Sequence, residues 1–167
     1  MKIHIIGCSG SGKTYLAKVL SQKYNIPHFD LDDIQWDNQA KGYGVKRSVA
    51  ERNVLLQEIL AHDEWIIEGV YYSWVQQSFE EVDKIYVLDM PGYLYKSRII
   101  IRSIKRKLGI ESAKKETWKS VYNLIKWTDT FQNKNLLEIK EILKKYDQKV
   151  IWISSKKEID KIIAANK

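Results

Sequence analysis

The sequence predicts a three-layer α/β/α domain built on a parallel sheet of five strands. Three observations lead there. Short apolar β-type runs recur down the 167 residues, helical patterns separate them, and the first run leads into a Gly-rich turn. Strands that alternate with helices pair in parallel through right-handed crossovers. Runs this continuously apolar are expected to be buried on both faces, and ligands of such sheets sit at the carboxyl ends of the strands.

The first strand is Lys2-Ile3-His4-Ile5-Ile6, and Gly7-Cys8-Ser9-Gly10-Ser11-Gly12-Lys13-Thr14 follows it. A helix over about 13–24 comes next, with Tyr15, Leu16, Val19 and Leu20 in helical register, until Asn25-Ile26-Pro27 breaks it. His28-Phe29 leads into Asp30-Leu31-Asp32-Asp33, and residues 34–47 read as a loop containing Trp36, Gly42, Tyr43 and Gly44. A helix over about 48–62 carries Val49, Leu55, Leu56, Ile59 and Leu60. Trp65-Ile66-Ile67-Glu68-Gly69 is the third strand, and Lys84-Ile85-Tyr86-Val87-Leu88-Asp89, stopped by Pro91-Gly92, is the fourth. Helices are expected over about 93–108, 116–127 and 134–146, then a strand over 149–154 and a last helix over 156–165. There is no repeat and no linker, so residues 1–167 read as one domain.

Composition narrows the class. No apolar run is long enough for a membrane span, and the N-terminus has no signal-peptide architecture. Cys8 is the only cysteine, which excludes an internal disulfide and suits a reducing, cytoplasmic setting. His4, His28 and His62 have no metal-ligand spacing, so no zinc site is implied. Charge is uneven: residues 1–90 carry a net −4 and residues 91–167 a net +11. An anionic ligand or partner of the second half follows, either a phosphorylated small molecule or nucleic acid.

The motif G-x-x-x-x-G-K-T between a strand and a helix is a P-loop. Its glycines let the backbone wrap an anion closely, and the loop amides and helix N-terminus supply partial positive charge. ATP is the expected ligand, held by Gly7, Ser9, Gly10, Ser11, Gly12, Lys13, Thr14 and Tyr15. Lys13 reaches the β/γ-phosphates and the Thr14 hydroxyl ligates Mg²⁺. The strand-end rule also selects Asp30–Asp33, Glu68-Gly69 and Asp89. Asp89 ends an apolar strand as a candidate metal ligand, or as a plain strand-end cap. In the helix over 93–108, Arg98, Arg102, Lys105 and Arg106 fall on one face, with Ile101, Ile104 and Leu108 on a separate apolar stripe. Bidentate guanidinium groups suit a transferring phosphoryl group. Trp118, Tyr122 and Trp127 offer a nucleic-acid stripe as the alternative, although core packing accounts for most of them. The acceptor is expected between the 34–62 insert and the third strand, near Asp32, Asp33, Trp36, Tyr43, Arg47, Arg52, Glu68, Gly69, Tyr71 and Tyr72.

Gly7–Thr14, Phe29-Asp30-Leu31-Asp32-Asp33, Trp65-Ile66-Ile67-Glu68-Gly69 and the arginine-bearing helix together resemble the nucleoside-monophosphate-kinase-like P-loop proteins, such as adenylate and shikimate kinases. Leu31-Asp32-Asp33-Ile34-Gln35-Trp36 is similar to the small bacterial proteins labelled "DNA topology modulation protein", which are FlaR-related. The resemblance implies a P-loop NTPase fold with a short acceptor-binding insert and an arginine-bearing lid over about 91–130. It also implies ATP- and Mg²⁺-dependent phosphoryl transfer to a small-molecule or nucleotide acceptor. In that scheme Asp30 holds a metal-bound water, Asp32 accepts the substrate hydroxyl's hydrogen bond and serves as its base, and Arg98 and Arg102 close over the phosphates. The label implies an alternative, a P-loop ATPase or nucleotide sensor that binds DNA through the basic half. The chain departs from the family pattern in three places: Glu68 stands where an Asp is usual, Gln76, Gln77 and Ser78 occupy a stretch that usually holds an arginine, and Gly92 stands where a basic residue is common.

Overall fold

The computed structural model describes residues 1–37, 39–40, 44–110 and 117–165. A five-stranded, all-parallel sheet in the order β2-β3-β1-β4-β5 forms its centre. The strands are β1 (Lys2–Gly7), β2 (His28–Asp30), β3 (Trp65–Gly69), β4 (Lys84–Leu88) and β5 (Val150–Ile153). Flanking helices are α1 (Lys13–Tyr24), α2 (Leu31–Gln35), α3 (Val49–Leu60), α4 (Gln76–Glu81), α5 (Gly92–Lys107), α6 (Trp118–Thr130), α7 (Leu136–Leu143) and α8 (Lys156–Ala165).

The strands expected to be buried on both faces are so at the centre. Ile3, Ile5, Ile6, Trp65, Ile66, Ile67, Ile85, Val87 and Leu88 are all buried. β5 departs from the expectation. As the outer strand it leaves Ile151 39% and Trp152 38% exposed, because only one neighbour and one set of helices cover it. His4 is the polar exception on β1. Ser78 gives its hydroxyl proton to the Val75 carbonyl, so His4 Nδ1 must donate to Ser78 Oγ, at 2.8 Å. Burial holds that imidazole down at about 3, which keeps it neutral.

Local chemistry sets the helix ends. Asn25 adopts φ +57° and closes α1, with its N–H on the Ser21 carbonyl. Ser48 and Glu51 form a reciprocal capping box that starts α3. Asp30 caps α2 by accepting from the Asp32 N–H, and the helix runs on through Ile34 and Gln35, which the sequence reading places in the loop over 34–47. α4 has no side-chain cap and only six residues, too short for a helical period to appear in the sequence.

The basic half differs from expectation in two ways. The two helices expected over 116–127 and 134–146 form one continuous rod, α6 passing through a π-type turn at Phe131–Asn135 into α7. Trp118 and Tyr122, expected to pack in the core, are 61% and 66% exposed. The stripe of Ile101, Ile104 and Leu108 is also exposed. Residues 111–116 of the lid-like span, residues 38 and 41–43 of the insert, and with them the acceptor candidate Tyr43, lie outside the described residues.

Candidate functional site

The site assembles where β1, β2 and β3 end together. In the parallel register Asp30 lies beside Glu68, and Ile6 beside Gly69. The loop Cys8–Gly12 leaves β1 and returns as the first turn of α1. Gly10 and Gly12 take φ +80° and +104°, a region that only glycine enters cheaply. A Cβ on Gly10 would lie 3.0 Å from the Tyr95 carbonyl oxygen, so α5 also fixes the loop's shape.

Glu68 is the hub. Its carboxylate is fully buried and accepts the Thr14 hydroxyl at 2.6 Å on Oε1. Lys13 Nζ sits 3.5 Å from its Oε2, and His28 Nε2 lies 3.8 Å from its Oε1. Burial works to raise this carboxyl, but His28, Lys13 and Thr14 together outweigh it and hold it below its ordinary value. Asp30 meets the opposite balance. Burial, then the Glu68 charge, push it up to about 6 against the pull of its cap bond and Lys13. Asp32 is exposed on α2 and accepts the Tyr71 hydroxyl at 2.7 Å.

The arginines of α5 reach the loop from the other side. Arg98 Nη1 donates to the carbonyls of Gly10 (3.1 Å) and Ser11 (2.8 Å). Arg102 Nη2 is 3.5 Å from Ser9 Oγ. With those carbonyls tied to a cation, the loop turns its amide face toward an anion. A cavity of about 350 Å³ opens there, lined by Gly12, Lys13, Thr14, Arg98, Arg102 and Lys105.

The remaining candidates divide. Asp89 is not brought to this cavity. It lies 3.9 Å from Lys140 of α7 and lines a separate cavity with Lys140, Leu143 and Trp152. Arg52 donates to Gln35 Oε1 at 2.7 Å and rests over the Trp74 ring. Arg47 is 3.3 Å from Asp37, and Lys46 lies over the Trp36 ring. Tyr72 donates to Glu138 at 2.5 Å, away from the P-loop, and Tyr15 is 55% exposed on α1. Asp33, Arg47 and Asp30 share a further cavity of about 310 Å³ with Phe29, Ile34 and Glu58. The sequence reading missed His28. Strand alternation places it on the same side of β2 as Asp30, and that is the signal that marks it.

Magnesium binds through one or two carboxylates, a hydroxyl and water. Thr14, Glu68 and Asp30 fit that donor set, and Glu68 Oε2 is buried without a hydrogen-bond partner. No group of three or more His, Cys, Asp or Glu suited to a metal occurs among the described residues.

Fold and site together define a P-loop α/β protein with a strand-end acidic pair beside its lysine. No family model matches the chain. It is similar to an uncharacterized protein, YqaC, of Bacillus subtilis, at 26% identity over 132 residues that span 78% of this chain and 72% of that one. It is also similar to the adenylate kinase of Wigglesworthia glossinidia brevipalpis, at 28% identity over 159 residues, 85% of this chain and 72% of that enzyme. A shorter stretch of 51 residues is 39% identical to the adenylate kinase of Acetivibrio thermocellus, covering 24% of that enzyme. These distant similarities point to a P-loop kinase-like family and support nucleotide binding with phosphoryl transfer at that level.

Proposed function

We propose that this chain is an ATP- and Mg²⁺-dependent phosphotransferase acting on a small-molecule or nucleotide acceptor, with residues 1–167 as one catalytic domain. The observation that carries the reading is the cluster of Lys13, Thr14, Glu68 and Asp30 at the strand ends, faced by Arg98 and Arg102 from α5. Lys13 and the loop amides hold the β- and γ-phosphates. Magnesium, when bound, neutralises charge on the phosphates, and Thr14, Glu68 and Asp30 are the residues that would hold it. Asp89, on its separate cavity, is left out of that set. Arg98 and Arg102 face the charge that spreads over the transferring group. Asp32 orients the acceptor and takes its proton.

The test is a transfer assay with γ-labelled ATP, Mg²⁺ and a panel of acceptors, run beside Lys13→Ala. A labelled acceptor from wild type, at least roughly 100-fold reduced in the variant, is the expected result. A second reading has one observation in its favour. Exposed Trp118 under Lys107 (3.6 Å) and exposed Tyr122 form a basic aromatic surface of the kind that stacks on nucleic-acid bases. Hydrolysis without any labelled acceptor, accelerated by DNA and lost steeply with salt, would replace the phosphotransferase with that DNA-linked ATPase.

A further inference from the structure

From the bare apolar strip on the basic half we infer that α5 and α6 form a docking surface for an anionic lipid membrane, on which the protein lies without spanning it. The inference stands apart from the phosphotransferase reading and from the P-loop. On α5, Tyr95, Ile99 and Ser103 are buried against the rest of the molecule. The opposite face of that helix carries Ile101, Ile104 and Leu108, all exposed. Leu108 reaches 68% exposure, and Ile110, just beyond the helix, 67%. α6 adds Trp118 and Tyr122, four residues apart on its exposed face, while its Val121 and Thr128 are buried. Lys107 lies 3.6 Å from the centre of the Trp118 ring, so the two exposed faces adjoin. Large apolar side chains scattered singly over a surface need no explanation, but a grouped set marks a place where something binds.

Charge selects the occupant. α5 carries six Lys and Arg and no acid. Residues 91–123 hold nine Lys and Arg against Glu111 and Glu116, a net +7. Asp129, the one acid of α6, is paired with Lys96 at 2.8 Å. A second copy of the chain would set another basic surface against this one. Nucleic acid would satisfy the cations and stack on Trp118 and Tyr122, yet it would leave Ile104, Leu108 and Ile110 in water, since bases stack on aromatic and guanidinium planes. An anionic bilayer answers both features. The aliphatic side chains enter the boundary between headgroups and acyl chains, and the Trp118 and Tyr122 rings sit at headgroup level. Lys107 and Lys119, both exposed, stay with the lipid phosphates.

Vesicle co-sedimentation of the full chain tests this. Neutral phosphatidylcholine vesicles are compared with vesicles in which about a third of the lipid is phosphatidylglycerol. Partition onto the anionic vesicles is expected to be stronger by roughly tenfold or more, and to weaken as salt is added. Leu108→Ser combined with Trp118→Ser should lower it by roughly tenfold or more. Both side chains are exposed, so the melting midpoint should stay where it is, which separates lost docking from lost folding. Ile101 and Lys105 are left intact because they line the P-loop cavity. No partition onto anionic vesicles, or partition that the double variant keeps, overturns the inference. Tighter binding to a single-stranded oligonucleotide than to anionic vesicles at equal phosphate concentration overturns it in favour of nucleic acid. Self-association without lipid that the double variant loses overturns it in favour of a second copy.

Discussion

Asp30 holds two roles that pull its protonation in opposite directions. Its ionised oxygen caps α2, while burial and the neighbouring Glu68 raise its carboxyl from 3.8 to about 6. Because the folded value is the higher one, protonated Asp30 favours the folded state below pH 3.8, and that contribution is lost as the pH rises through about 6. Asp30→Asn keeps a competent N-cap and removes the charge. Urea unfolding without nucleotide should show the variant more stable than wild type at pH 8 by on the order of 1 kcal/mol, after allowing for solvent screening. The gap should close near pH 4. Glu68 shifts the other way, downward, so its contribution is present above its ordinary value and fades in acid. The same variant should also weaken magnesium-dependent nucleotide binding, which isothermal titration would read directly. Two neighbouring carboxylates with opposite shifts are a pattern that strand-end position alone does not reveal.

At the scale of elements, the loop between β1 and α1 is shaped as much by α5 as by its own glycines. Arg98→Ala removes two charge-assisted bonds to loop carbonyls and should cost about 2 kcal/mol. Thermal unfolding would measure that loss, and Arg98→Lys should recover only part of it, since an ammonium lacks the planar fork. On the opposite flank, Gly69→Ala would place a Cβ 2.8 Å from the Leu31 Cβ, inside a fully buried contact. Overpacking there should lower stability by about 1–3 kcal/mol and push α2, with Asp32, away from the β3 end. The P-loop and the strand runs were legible in the sequence because glycine geometry and continuous apolar burial leave local traces. Strands β1, β3 and β4 lie where their runs placed them. The place of Asp89, the joined α6–α7 rod and the exposure of Trp118 were not legible. Each depends on which surfaces happen to meet, and a helical period with aromatics reads the same whether it faces a core or solvent. His28 was missed for a similar reason, since its partner Glu68 is 40 positions away in sequence and adjacent only through the β2–β3 register.

Over the whole molecule, an excess of basic residues in the second half is brought against a first half with a net negative charge, and the P-loop lies at their meeting through α5. No helix among the described residues is long and apolar enough to cross a membrane. Ligand at about 100 times its dissociation constant stabilises the folded state by about 2.7 kcal/mol. For a chain of this size that raises the melting midpoint by roughly 5–10 °C. Scanning fluorimetry with Mg²⁺ and ATP should show that shift for wild type and little of it for Lys13→Ala. The Lys13–Glu68 contact also bears on the order of events. With no nucleotide bound, the lysine already has a counter-ion, so an arriving polyphosphate must trade places with a buried carboxylate that has nowhere to retreat. On the proposed function, bare ATP would make that exchange at a loss, because it would set its own charge against Glu68. ATP arriving with a divalent ion gives the carboxylate a new partner in the same event. The pocket is thus expected to act as a lock needing two keys turned together, and ATP in the presence of EDTA should leave the melting midpoint nearly where it was.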